Sequence, residues 1–125
     1  MEVFQLTEEI NLYVDDLRDC PKGFVVARNV EEAIFYLEDY TVQTLSLDPD
    51  LGEDAQGNLL PTGYDLVKIF CEKGYHVNKI YIHTDNGPGR DNMFHTLKGS
   101  QRRGFIDQDI EVFHYSITIN KCSGE

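Results

Sequence analysis

No stretch of the chain approaches the ~18 to 20 consecutive apolar residues that cross a bilayer, so a membrane-spanning helix is not expected. The first residues carry Glu2, Glu8 and Glu9 where a secretory leader would have basic residues and then an apolar run. The protein is therefore expected in the cytoplasm. Cysteine is scarce: Cys20, Cys71 and Cys122 are odd in number, far apart and without a Cys-x-x-Cys pair. That pattern argues against a disulfide frame or a zinc site and for reduced thiols. Basic residues are scarce as well. Eleven lysines and arginines face 22 aspartates and glutamates, giving a formal net charge of −11. A long nucleic acid, whose affinity rests on cations neutralising phosphates, is not expected as a partner. A small phosphorylated molecule remains open, because a bound cation reverses the local potential.

With 125 residues and a hydrophobic fraction of 41%, the chain can bury one modest core. No repeat, low-complexity run or linker divides it, so residues 1–125 are read as a single domain. Ile10 to Val14 reads as a short strand running into Asp15-Asp16, and Leu17 to Gly23 as a loop. Phe24 to Ala27 is the next strand. Asn29 then caps a helix whose Val30, Ala33, Ile34 and Leu37 keep helical spacing, with Glu32 placed to complete a capping box. This helix ends near Tyr40.

Thr44 to Leu47 is a third strand, ending in Asp48-Pro49-Asp50-Leu51-Gly52. After the polar excursion Glu53 to Pro61, Thr62 and Asp65 open a helix along Leu66, Ile69 and Phe70 to Gly74. Lys79 to Thr84 is a fourth strand. Gly87-Pro88-Gly89 is read as a turn into a helix carrying Met93, Phe94 and Leu97, followed by a more polar segment with Lys98, Arg102 and Arg103. Glu111 to Ile119 is the last strand. Strands alternating with helices imply a mainly parallel sheet covered on both faces. The short link from the first to the second strand leaves the direction of the second strand open.

In open α/β sheets the ligand sits at the carboxyl ends of the strands. Asp15, Asp16, Asp48 and Asp50 all fall at such ends, and crowded carboxylates repel one another unless a cation, a proton or hydrogen bonds relieve them. They are the candidate metal ligands, for a divalent cation such as Mg2+ or Mn2+. His83 and Thr84 at the fourth strand end join Asp48 as candidate catalytic residues. Gly87, Gly89 and Arg90, at a helix start, with Asn86 and Asn92 to either side, are candidate phosphate-binding residues, since helix N-termini and arginine favour phosphate oxygens. His76, His95 and His114 have no spacing that marks metal ligation.

The order of acidic pair, strand-end aspartate and strand-end hydroxyl matches the receiver domains of two-component signalling. More specifically, Leu12-Tyr13-Val14-Asp15-Asp16, Ala27-Arg28-Asn29-Val30-Glu31-Glu32-Ala33, Ser46-Leu47-Asp48-Pro49-Asp50-Leu51-Gly52, Thr62-Gly63-Tyr64-Asp65-Leu66 and Ile82-His83-Thr84-Asp85-Asn86 together resemble the cyclic-phosphate processing receiver-like family. The resemblance implies a receiver-like (flavodoxin-like), doubly wound α/β fold with five strands in the order 2-1-3-4-5, the first and last helices being reduced or missing. It also implies metal-dependent handling of a small cyclic phosphate or nucleotide. Pro49 stands where members of that family tend to have histidine, which places turnover in question more than binding. No lysine follows the fifth strand in Phe113-His114-Tyr115-Ser116-Ile117, so phosphoryl relay at Asp48 is disfavoured. Three functions are thus expected in descending order: phosphoester hydrolysis or transfer, cyclic-nucleotide binding without turnover, and phospho-accepting signalling.

Overall fold

Between Glu9 and Val14, Ile10, Leu12 and Val14 alternate with Asn11 and Tyr13, and a strand sends such alternate residues to opposite faces. The computed structural model describes residues 8–15, 21–48, 63–83 and 87–114. Within them, β1 (Glu9–Val14) lies between β2 (Phe24–Ala27) and β3 (Thr41–Leu47), and β4 (Lys79–Ile82) and β5 (Glu111–Phe113) continue the sheet beyond β3. Every neighbouring pair is parallel, in the order β2-β1-β3-β4-β5. This is the expected receiver-like α/β architecture, and the direction of β2 is settled as parallel.

Among the described residues three helices are interleaved with the strands: α1 (Val30–Asp39), α2 (Gly63–Lys73) and α3 (Gly87–Arg103). The start of α1 is set locally. Asn29 is extended at φ −154° and its side chain accepts from Glu32 N at 2.9 Å. Glu32 reaches back one residue further than a standard capping box, accepting from Arg28 N at 2.7 Å.

The crossovers from β2 to β3, β3 to β4 and β4 to β5 step across the sheet in one direction, and right-handed connections then place α1, α2 and α3 on the same face; the helical cover also expected on the second face is not found among the described residues. One continuous core agrees: Leu12, Val14, Ala27, Leu45, Leu47, Ile80 and Ile82 from the strands pack with Ala33, Leu66, Phe70, Met93 and Leu97 from the helices. Each of the larger side chains among them, leaving out the two alanines, contributes about 1.5–3 kcal/mol when buried from water. The other face carries a row in register across all the strands, Val26, Tyr13, Ser46, Tyr81 and Phe113.

Several boundaries differ from the sequence expectation. β3 begins at Thr41 rather than Thr44, because Ile10 pairs with Val42 and Asn11 with Thr44, leaving Gln43 as an extra residue. That bulge lets both Val42 and Leu45 reach the core although they are three apart. Gly87-Pro88-Gly89 is the first turn of α3, not a turn before it. Proline is suited there, since the missing N–H would have no intrahelical partner anyway. The same helix runs on without a break to Arg103 and includes the segment around Lys98. β4 ends at Ile82 and β5 at Phe113, so His83 and His114, expected within the strands, lie just past them, while Thr84 and residues 115–119 lie outside the described residues. So do Cys20 and Cys122, while Cys71 is a free thiol whose pKa burial raises. No described helix is long and apolar enough to cross a membrane.

Candidate functional site

Beyond the strand ends the sheet's hydrogen-bond pattern continues for one more residue in three places. Asp15 N donates to Ala27 O at 3.1 Å, Asp48 N to Val14 O at 3.1 Å and His83 N to Leu47 O at 2.8 Å. Asp15, Asp48 and His83 are thereby set side by side at the carboxyl ends of β1, β3 and β4. Each lies two residues beyond a member of the row on the face opposite α1, α2 and α3, Tyr13, Ser46 and Tyr81 respectively, so strand parity gives all three the same side.

One ligand atom from each of Asp15, Asp48 and His83 lies within 4.8 Å of the others. Asp15 and His83 are each 1% exposed, and Asp48 is partly buried. The His83 ring is engaged at both nitrogens: Nε2 lies 3.0 Å from Asp15 Oδ2 and Nδ1 lies 2.7 Å from Ser46 Oγ. Tyr13 stacks on the ring with centroids 4.2 Å apart and planes 4° apart. Arg28 Nη1 donates to the Asp15 carbonyl at 3.1 Å, tying the loop after β2 to the end of β1.

Two oxygens and an imidazole nitrogen converging from separate strands are a donor set that fits a divalent cation. The cluster joins two of the expected metal ligands, Asp15 and Asp48, to His83, which the sequence suggested as a catalytic group. Asp16 and Asp50, the other expected ligands, lie outside the described residues, as do Thr84 and Asn86.

The helix-covered face also reaches the site. A Cβ on Gly63 would fall 2.0 Å from the Asp48 carbonyl oxygen and 2.8 Å from Met93 Cε, so only glycine lets α2 start directly against the end of β3. Gly87, Gly89 and Arg90 form part of the first turn of α3, which holds no acidic residue. Arg90 Nη2 lies 3.6 Å from where a Gly87 Cβ would be, so the guanidinium folds back over the helix start. Arg90 Nε is buried without a hydrogen-bond partner, its contact with Asp91 Oδ1 being a long 3.9 Å. Asn92 is exposed and lines a groove with Tyr64, His95 and Thr96 between α2 and α3.

Ser46 and Tyr13 were not singled out from the sequence as site residues. The available signal was parity, each lying two residues before a strand-end aspartate. Neither a curated protein nor a solved structure matches the chain with significance. The model of one family does match, over residues 10–99, and that span includes the acidic cluster and the start of α3: the chain belongs to the cyclic-phosphate processing receiver domain family.

Proposed function

We propose that the domain binds a small cyclic phosphate or cyclic nucleotide at the carboxyl end of its sheet and opens or transfers its phosphoester with the help of a divalent cation. The observation that carries this reading is the convergence of Asp15, Asp48 and His83 within 4.8 Å in a member of a cyclic-phosphate processing family. Asp15 and Asp48 are the residues that would hold Mg2+ or Mn2+. Such an ion supplies positive charge that polarises a phosphoryl oxygen and eases formation of hydroxide from water.

The remaining groups would place the phosphate. The first turn of α3 puts the positive end of the helix dipole at the site, which favours anions. Arg90, with an unpartnered buried Nε, offers a charged donor in that turn, while Thr84, Asn86 and Asn92 are proposed contacts on the sequence argument alone. Ring opening adds water across one P–O bond. The water oxygen joins phosphorus, and the departing ring oxygen takes up a proton. His83, buried and held at both nitrogens, is better suited to fixing the site than to exchanging protons with solvent.

A binding module without turnover is the second reading. It is favoured by Pro49 in place of a histidine and by the engagement of the His83 ring. A phospho-accepting receiver is the third, weakened by the missing lysine after the fifth strand. The test is calorimetry with Mn2+ and a panel of cyclic mononucleotides, cyclic dinucleotides and terminal cyclic phosphates, followed by phosphorus NMR of the same mixtures. Ring-opened product supports the enzyme, binding without product selects the module, and no binding of any member defeats both. Stable acyl phosphate on Asp48 after a small phosphodonor would favour the receiver instead. Arg90→Ala should weaken the phosphorylated ligand by about 1.5–3 kcal/mol and leave cation binding intact.

A further inference from the structure

Ser46 is fully buried on the face opposite α1, α2 and α3, and its hydroxyl meets His83 Nδ1 at 2.7 Å. The ring is fixed from its flat side by Tyr13 and from its far edge by Asp15 Oδ2 at 3.0 Å. A neutral imidazole has one donor nitrogen and one acceptor nitrogen, and the partner of one decides what the other can do. In the tautomer that donates to Asp15, Nε2 carries the hydrogen and Nδ1 accepts from the Ser46 hydroxyl. For Nε2 to offer its lone pair to a cation, the hydrogen must sit on Nδ1 and Ser46 must accept it. A hydroxyl serves both arrangements by rotating. A carbonyl or carboxylate, which only accepts, would serve one.

On the reading that Asp15 and Asp48 hold a divalent cation, we infer that His83 Nε2 is a third protein ligand to it, that Ser46 is the residue positioning the ring for this, and that the ion is of the imidazole-binding class, Mn2+ or Zn2+, rather than Mg2+. The donor set decides the ion class. Mg2+ takes oxygen donors in near-ideal octahedral geometry and parts with its waters reluctantly, whereas first-row transition ions and Zn2+ accept imidazole readily. A ligating histidine commonly has its second nitrogen held by an outer partner that fixes ring orientation, and Ser46 occupies that place.

Zn2+ is the probe, because it is diamagnetic and permits NMR of the ring nitrogens in isotope-labelled protein. The metal-free spectrum should show His83 protonated at Nε2, and the Zn2+-saturated spectrum should show it protonated at Nδ1 with Nε2 shifted by coordination. By calorimetry, Ser46→Ala should weaken Zn2+ roughly ten- to hundred-fold while changing the Mg2+ affinity by less than about twofold. Ser46→Thr, which keeps the hydroxyl, should restore Zn2+ binding. If Zn2+ binds while the His83 ring signals stay unmoved, or if Ser46→Ala binds Zn2+ as the wild type does, the inference is overturned and the carboxylate site stands. If Zn2+, Mn2+ and Mg2+ all fail to bind the wild type, the underlying cation reading falls as well. The spectra use the wild-type protein, so the test holds even if Ser46→Ala does not fold.

Discussion

Leu45 and Ser46 are neighbours in β3, yet they belong to different environments. Leu45 joins the aliphatic core beneath the helices, and so do Leu12, Val14, Leu47, Ile80 and Ile82. Ser46, with Tyr13 and His83, looks the other way and holds polar and aromatic contacts of fixed direction. The first face needs volume and apolarity, which many side chains supply; the second needs particular atoms at particular distances. Because side chains alternate along each strand, a register error of one residue would put the core residues on the site face and the site residues in the core. The hydrophobic face therefore fixes the register that assembles the polar one.

Gly63 is where the two faces meet, and it should show the largest effect. The Asp48 carbonyl that a Gly63 Cβ would strike at 2.0 Å is backbone, so it cannot yield by changing a rotamer. Gly63→Ala should lower stability in urea by about 3 kcal/mol or more and disturb cation binding at Asp48 together. An alanine variant with unaltered unfolding midpoint would mean that α2 is free to move away from β3, and the coupling of the faces would be lost.

Substitution of the two neighbours separates the faces directly. Leu45→Ala should cost about 2–5 kcal/mol, because it empties part of the core, and Mn2+ affinity should survive wherever the protein remains folded. Ser46→Ala should cost less, about 1–3 kcal/mol, the price of leaving a buried hydrogen-bonding atom without its partner. Urea titration of both variants, followed by calorimetry, checks the contrast. Equal stability losses together with equal loss of Mn2+ binding would show that the faces are not separable.

What the sequence made legible follows the same division. The α1 start could be read because Asn29 and Glu32 act within one turn, and β2 because Phe24 to Ala27 is bounded by turn residues and the cap. The carboxylates Asp15 and Asp48 could be placed at strand ends, and the resemblance supplied strand order. Ser46 and Tyr13 were invisible as site residues, since their roles depend on which strand lies beside which. The first residues of β3 were hidden by the Gln43 bulge, which breaks the alternation a strand is recognised by. Gly87-Pro88-Gly89 misled for a local reason: a turn and the first turn of a helix accept the same residues.

A charge change on the site face should have a smaller and opposite effect on stability. Asp48→Asn removes one of the carboxylates crowded beside Asp15 and His83, so in metal-free buffer the fold should be unchanged or more stable by about 1 kcal/mol. Mn2+ binding should weaken in the same variant. Melting curves with and without Mn2+ read both quantities. A sharp loss of metal-free stability would make Asp48 a structural residue and remove the basis for the cation site.

The smallest expected effect lies at the rim of the helix-covered side, where titration and packing meet outside the site. Tyr75 packs edge-on against Phe70 of α2 and donates its hydroxyl to Glu38 of α1. Burial first, and then Glu38, pushes its pKa from 10.0 to about 12. The folded state thus holds the phenolic proton after the unfolded chain has released it. The sign follows: the Tyr75 contribution is fully present below pH 10 and fades as pH rises through about 12. Tyr75→Phe deletes the hydrogen bond and the titrating group together, so it should be less stable than wild type by about 0.5–1.5 kcal/mol at neutral pH. That gap should close in alkaline buffer, while Zn2+ and Mn2+ affinities measured at neutral pH stay as in the wild type. Urea midpoints for both proteins from neutral pH to the alkaline limit supply the comparison. A gap that persists unchanged would show that the Tyr75 proton is not held by the fold, and altered cation affinity would show that the helix side and the site are coupled at more places than Gly63.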